Sequence, residues 1–327
     1  MDKDLRTYTS KKSQLLQAIM GDLWLITHNA ANSYLPFIMA ALDGNIKQME
    51  TFRGEVTQLR PLAIDQEGNR SKIEEARPGS TALIEIYGAL TKYDGWCSYG
   101  METIGEWIKQ ADRDSNINEI VLIVDSPGGQ ASGTEEFSNL IASAQKPTVA
   151  WVNGQACSAA NFAIAPCDHI MLSSRSSMMG SIGTQFSVMD FTEALKARGY
   201  KRHDIRATKS TDKNQEYFDI LKGDYESMIK NYLDPLNEVF ITTIEKYRNV
   251  GQEATTGKTY FGQAAIDAGL ADSIGTLDDA IAKAKELSIN SQNETEMSFF
   301  KNIFAKKSEE AKAEGKELTP EQLEQAA

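Results

Sequence analysis

The residue types best suited to chemistry meet in Trp151-Val152-Asn153-Gly154-Gln155-Ala156-Cys157-Ser158-Ala159-Ala160-Asn161-Phe162-Ala163-Ile164-Ala165. An apolar run ends, a glycine follows, one hydroxyl sits among small residues, and an apolar helical pattern begins. This is how a nucleophile can be set at a strand-to-helix junction. Small neighbours let the backbone turn tightly, and the helix start aims unpaired N–H groups at developing negative charge. Such turns are common in α/β proteins, so Ser158 needs support from elsewhere. Asp125-Ser126-Pro127-Gly128-Gly129 supplies some. A buried strand ending in Pro-Gly-Gly exposes backbone N–H groups with no Cβ to block a ligand, which suits an oxyanion hole as well as a plain tight turn. It lacks the spacing of a dinucleotide or phosphate fingerprint. One βα unit separates this loop from Ser158, and adjacent parallel strands would bring the two to one sheet edge.

A serine nucleophile needs a base, and the chain has 3 histidines. His28 lies in the N-terminal region, His203 starts a predicted strand, and His169 lies on a strand leading away from the crevice. None suits a Ser-His-Asp arrangement. A lysine is the alternative, provided burial or positive neighbours depress its pKa. Lys209 and Lys213 sit in a polar loop, Thr208 to Asn214, where a bound peptide could desolvate either. Cys157, beside Ser158, reads as a small apolar filler, because the alternating register of the turn sends its side chain elsewhere.

Several elements must position these groups. Thr81 to Gly88, Glu119 to Val124, Thr148 to Val152 and His169 to Leu172 read as strands. Met101 to Ala111, Gly133 to Ala144 and Ser158 to Ala165 read as helices between them. This alternation predicts an α/β fold with a mostly parallel sheet and right-handed crossover helices. Further on, Phe191 to Arg198 reads as a helix and Arg202 to Ala207 as a strand. A long helix follows from about Glu216 to Arg248, bent near Asp234-Pro235. A loop, short helix and glycine stop cover Gly257 to Asp272, and Leu277 to Leu287 closes the domain. Three divisions follow: 1–75 as a helical N-terminal region and connector, 76–288 as the catalytic domain, and 289–327 as a charged tail, helical or disordered.

The 327 residues suffice for a proper core. A net charge of −12 argues against nucleic-acid or anionic-membrane partners. The 3 cysteines, Cys97, Cys157 and Cys167, are too few and scattered for a disulfide framework or zinc cluster, so a reducing compartment fits. Leu15 to Leu42 is the most apolar early region, but Asp22, His28, Asn29, Asn32 and Ser33 interrupt it. It falls short of the ~20 apolar residues of a membrane span and reads as buried or partner-facing helices. No secretory signal is visible.

Taken in order, Gly88, Asp125-Ser126-Pro127-Gly128-Gly129, Gly154-Gln155-Ala156-Cys157-Ser158-Ala159-Ala160, Gly180-Ser181-Ile182-Gly183 and Gly257 to Asp272, ending Gly269-Leu270-Ala271-Asp272, resemble the signal peptide peptidase A family of serine peptidases. That family lies within the ClpP–crotonase superfamily, and this chain is most similar to its bacteriophage prohead protease branch. The resemblance spans about residues 80 to 285. It implies a ClpP/crotonase-like fold, Ser158 as nucleophile, Gly128 and Gly129 as the oxyanion loop, and a Ser-Lys dyad without metal or cofactor. It also implies a homo-oligomeric ring acting on capsid or scaffold protein in the host cytoplasm or prohead. The chain departs from the family at the lysine: a Ser-Gly-x-x-Lys-Asp-like loop is replaced by Ala207-Thr208-Lys209-Ser210-Thr211-Asp212-Lys213-Asn214. An ungapped match puts Thr211 at the base position. A small insertion puts Lys213 there, with Lys209 the alternative. A general protease of the signal-peptide-peptidase type and a catalytically silent capsid-assembly component are the rival functions.

Overall fold

A computed structural model describes residues 24–26, 60–94, 99–188, 190, 192–291, 293 and 301. Its centre is a set of parallel strands, β4 (Ser80–Tyr87), β5 (Ile117–Ser126) and β7 (Thr148–Cys157). Two short antiparallel strands, β2 (Leu62–Ile64) and β3 (Arg70–Lys72), extend the sheet beyond β4. Crossovers pass through α1 (Met101–Arg113) between β4 and β5, and α2 (Thr134–Ala142) between β5 and β7. A three-residue strand β6 (Gly128–Gln130) leaves the sheet just after β5 and pairs with β1 (Trp24–Ile26).

The central strands are buried on both faces, which is why they read as unbroken apolar runs rather than alternating ones. Ile84, Ile86, Leu122, Val124 and Val152 join the larger core under the crossover helices. Leu83, Val121, Val149 and Met171 face the opposite side, where Ala280, Ile281 and Ala284 of a closing helix over 277–291 cover them. Each fully buried aliphatic side chain contributes about 2 kcal/mol, so both layers hold the sheet rigid beneath the crevice.

β7 changes partner halfway along. Its first half pairs in parallel with β8 (His169–Leu172), from Val149↔His169 to Val152↔Leu172. Its second half pairs with β9 (Met178–Gly180), from Gln155↔Met178 to Cys157↔Gly180. Gly154, at φ +119, lies at the split, where a Cβ would also meet the Asp125 carboxylate. The end of β7 is thereby lifted toward the loop after β5, and α3 (Ala159–Ile164) begins at once.

The mostly parallel α/β sheet with crossover helices agrees with expectation, and several local readings are corrected. Arg202 to Ala207 is not a strand; it forms no regular element, and Ile205 is 93 % exposed. The expected continuous helix from Glu216 is broken: α5 spans Gln215–Ile220 after a short α4 (Thr192–Ala197), Gly223 adopts φ +81, and helical structure resumes at Glu226. Wider π turns over Ile229–Leu233 then lead into α6 (Asp234–Tyr247), with Pro235 in its first turn, where its missing N–H costs nothing. Within Gly257 to Asp272, Thr259–Phe261 is a strand, β10, pairing with β9 before α7 (Gln263–Asp267). The edge strand β11 (Ser273–Ile274) pairs with β8. Trp24–Ile26, inside the span read as helical, is extended, and residues 60–75, read as connector, supply β2 and β3. The remaining N-terminal readings, and those on the tail at 292, 294–300 and 302–327, lie outside the described residues.

Candidate active site

β5 and β7 lie side by side with Ser126 paired to Ala156, so the Pro127-Gly128-Gly129 loop and Ser158 leave the sheet at the same edge. α3 packs against both β6 and α2, where the Ser138 hydroxyl donates to the Phe162 carbonyl at 3.0 Å. The two stretches singled out in the sequence are brought together.

Ser158 sits between β7 and α3 at φ 52, ψ −119, a conformation that a residue with a Cβ rarely adopts. Its N–H donates to the Gly180 carbonyl at 2.9 Å, and its own carbonyl accepts from Phe162 N–H at 2.9 Å. These bonds hold the strained turn against relaxation. Ser181, on the other side of Gly180, is also at positive φ, with its N–H donating to the Lys258 carbonyl at 2.7 Å. Strain clustered in this way, fixed from both sides, is characteristic of a functional turn. Ser158 is 1 % exposed.

The glycine loop is built on the segment after β4. The Ser126 hydroxyl donates to the Gly88 carbonyl at 2.6 Å, and Gly88 N–H donates to the Asp125 carbonyl at 2.9 Å. Leu90 N–H reaches the Gly128 carbonyl at 2.9 Å, and Gln130 N–H returns to the Leu90 carbonyl at 2.8 Å. Gly128 adopts φ +105, and a Cβ on Gly129 would collide with the Leu90 carbonyl. Both glycines are therefore required by the backbone. Their N–H groups differ: Gly128 N–H donates to Ser126 Oγ at 3.3 Å. Peptide groups along an extended strand alternate in direction. With Gly128 C=O and Gln130 N–H turned to Leu90, the Gly129 peptide groups face the other way.

Sequence reasoning overlooked one backbone donor. Ala159 N–H is the first amide of α3 and has no acceptor within the helix. The signal was present, since the residue after a nucleophile at a strand-to-helix turn offers its N–H beside the reacting atom.

Charged and thiol groups sort clearly. Cys157 is buried, its Sγ is 4.0 Å from the Met178 carbonyl, and burial pushes its thiol up to about 12. Held protonated, the thiol is a poor nucleophile. Cys167 is likewise pushed up to about 12 by burial. Cys97 and His28 lie outside the described residues. His169 pairs with Val149 at the start of β7, about 30 Å of strand from Ser158 at ~3.3 Å per residue. Its Nε2 shares a hydrogen bond with Ser273 Oγ at 2.7 Å, and burial lowers its pKa. His203 is exposed. Asp125, half-buried, accepts a hydrogen bond from Gln155 N–H, and desolvation holds its carboxyl above the ordinary range.

Lys209 and Lys213 are exposed in the turns between α4 and α5. Neither side chain makes a hydrogen bond or ion pair with a described residue, so the chain alone does not join either one to Ser158. Arg206 shapes their loop: it donates to the Thr211 carbonyl at 2.6 Å and Gln215 Oε1 at 2.8 Å, and lies 4.6 Å from the Phe218 ring centroid. From 183 to 239 no described residue is fully buried, and Tyr200, Ile205 and Tyr225 are exposed. The lysines ride on an arm that makes little use of its own core.

Residues 141–290 match Peptidase family S49. Among curated proteins, the chain is 30% identical over 214 residues to the head-tail preconnector protein GP5 of Enterobacteria phage P21, covering 63% of this chain and 41% of that protein. It is 28% identical over 215 residues to the capsid assembly protease C of Escherichia phage lambda, covering 64% and 48%. It is 30% identical over 218 residues to Protease 4 of Salmonella typhi, covering 64% and 35%. The chain thus spans about half or less of these relatives. These matches bear out the resemblance to signal peptide peptidase A-like peptidases and their phage branch. Among solved structures, an enoyl-CoA hydratase from Shewanella pealeana aligns at 11% identity over 77% of this chain and 83% of that chain, with a TM-score of 0.37.

Proposed function

We propose that this chain, whose residues 141–290 match Peptidase family S49, is a serine endopeptidase that uses Ser158 with a lysine base. One observation carries the reading: a strained serine at a strand-to-helix junction, held in register with a Pro-Gly-Gly loop on the neighbouring parallel strand.

In this mechanism an extended peptide lies along β6 by strand addition. A lysine, neutral once desolvated, takes the Ser158 proton as Oγ attacks the scissile carbonyl. Gly129 N–H and Ala159 N–H hold the tetrahedral oxyanion, while Gly128, engaged by Ser126, shapes the loop. The C–N bond breaks, the lysine returns its proton to the departing amine, and water then hydrolyses the acyl-enzyme. Lys213 is the proposed base and Lys209 the alternative. The exposed apolar arm supports a homo-oligomer, since a neighbouring copy packed on it would also desolvate these lysines.

The names of the two phage relatives support capsid or scaffold protein as substrate, with the host cytoplasm or prohead as the setting. Similarity to Protease 4 favours general proteolysis as the second reading. Among the described residues no helix is long and apolar enough to cross a membrane. Wild type, Ser158→Ala, Lys213→Ala and Lys209→Ala would be co-expressed with the capsid protein from the same genome. Loss of capsid processing in Ser158→Ala and in one lysine variant is the expected result. Processing by Ser158→Ala at the wild-type rate would refute the proposal, and no processing by the wild type would leave the chain a silent assembly component.

A further inference from the structure

We infer that the strand Trp24–Ile26 is an intramolecular occupant of the substrate lane, and that this strand excludes peptides from β6 until it is displaced. This rests on the peptidase reading above for the meaning of the lane, but the occupancy itself is a matter of backbone pairing. β1 runs antiparallel to β6 with Trp24↔Gln130, Leu25↔Gly129 and Ile26↔Gly128. β6 has two sides. One is used by Leu90, which takes Gln130 N–H and gives its own N–H to the Gly128 carbonyl. The alternation of peptide groups turns the Gly129 N–H and C=O to the other side, where Leu25 lies.

The consequence is direct competition. Gly129 N–H is the group proposed to receive the oxyanion, and its side of β6 is where a substrate strand must pair. Unpaired backbone groups along a strand edge take a partner wherever one is offered. Here the chain itself supplies one. Leu25 and a peptide cannot both pair with Gly129. A tethered competitor acts at an effective concentration of about millimolar, so it outcompetes micromolar peptide even when its intrinsic affinity is modest.

The test uses the full chain in a Ser158→Ala background, so that nothing is cleaved. Leu25→Pro removes the N–H that faces the Gly129 carbonyl, whereas Leu25→Ala keeps the backbone pairing. Two quantities are read: amide hydrogen exchange at Gly129, and binding of a fluorescein-labelled synthetic peptide of residues 20–30 by anisotropy. Leu25→Pro should speed Gly129 exchange and tighten peptide binding by about tenfold or more, the advantage that a tethered strand loses on release, while Leu25→Ala matches the parent. Equal Gly129 exchange in all three proteins would overturn the inference, whatever the peptide does. Hydrolysis is assayed separately with Ser158 restored in the parent and Leu25→Pro: none from either would instead sink the peptidase reading and leave the occupancy intact.

Discussion

Among single residues, the chemistry depends on which groups around β7 can lose a proton. Ser158 and Cys157 are adjacent, yet the strained turn separates them: the thiol is buried under β9 and pushed up to about 12. Cys157→Ala should therefore leave peptide hydrolysis unchanged and insensitive to thiol reagents at pH 8; a dead Cys157→Ala that folds normally would contradict this. The lysines are the opposite case. Lys209 and Lys213 are exposed in this chain, and a base must be desolvated to be neutral. Removing the acting base should cost about 10²–10⁴ in kcat, the usual worth of a positioned proton acceptor. Activity measured on Lys209→Ala and Lys213→Ala should separate them, with Lys213→Ala the inactive one.

Among the elements, the decisive device is the pair of turns that end β5 and β7. Gly129→Ala tests it: the added Cβ strikes the Leu90 carbonyl and moves β6. Displacing one oxyanion donor costs about 10²–10³ in kcat, so kcat should fall by that order, and the melting temperature should fall with it because the clash is with backbone. How much of this was legible in the sequence follows from burial. β5 and β7 are buried on both faces, so their β-branched runs could hardly be read otherwise, and the Pro-Gly-Gly and Ser158 turns followed from where those runs stop. Arg202 to Ala207 has one β-branched residue, Ile205, among charged ones, no neighbouring strand pairs with it, and Ile205 is exposed. Three-residue strands such as β1 and β10 exist because of their partners, β6 and β9. No window of sequence that short carries a period, so both were missed.

Across the whole molecule, a rigid three-layer core supports an arm over 183–239 in which no described residue is fully buried. Asp65 and Glu119 are buried acids among the described residues, and Glu119 is the one held on a central strand. Glu119 accepts a hydrogen bond from the Thr81 hydroxyl at 2.5 Å, and desolvation holds its carboxyl above the ordinary range. Its folded pKa being raised, the native state binds the proton more tightly than the unfolded chain. Stability therefore falls as pH rises from about 4.3, the free glutamate value, through the raised folded value. Glu119→Gln keeps an acceptor for Thr81 and removes the buried charge, so it should stabilise the fold at pH 8 and not at pH 4. Chemical denaturation at the two pH values checks this, and a gain at pH 4 equal to that at pH 8 would contradict it. The arm is a different matter. Its exposed tyrosines and Ile205 would be covered in the proposed homo-oligomer, and the base could be read from the chain only as a choice of two because both lysines are exposed.

The peptidase reading stands or falls on whether Ser158 Oγ is the atom that attacks a peptide bond. Purified full-length wild type and Ser158→Ala, matched by circular dichroism and melting temperature, would be incubated with an unfolded protein substrate and the products identified by mass spectrometry. The expected result is discrete internal cleavage by the wild type and a loss of about 10³-fold or more in Ser158→Ala, the scale for removing a covalent nucleophile. Cleavage at the same bonds and comparable rates by both proteins would contradict it.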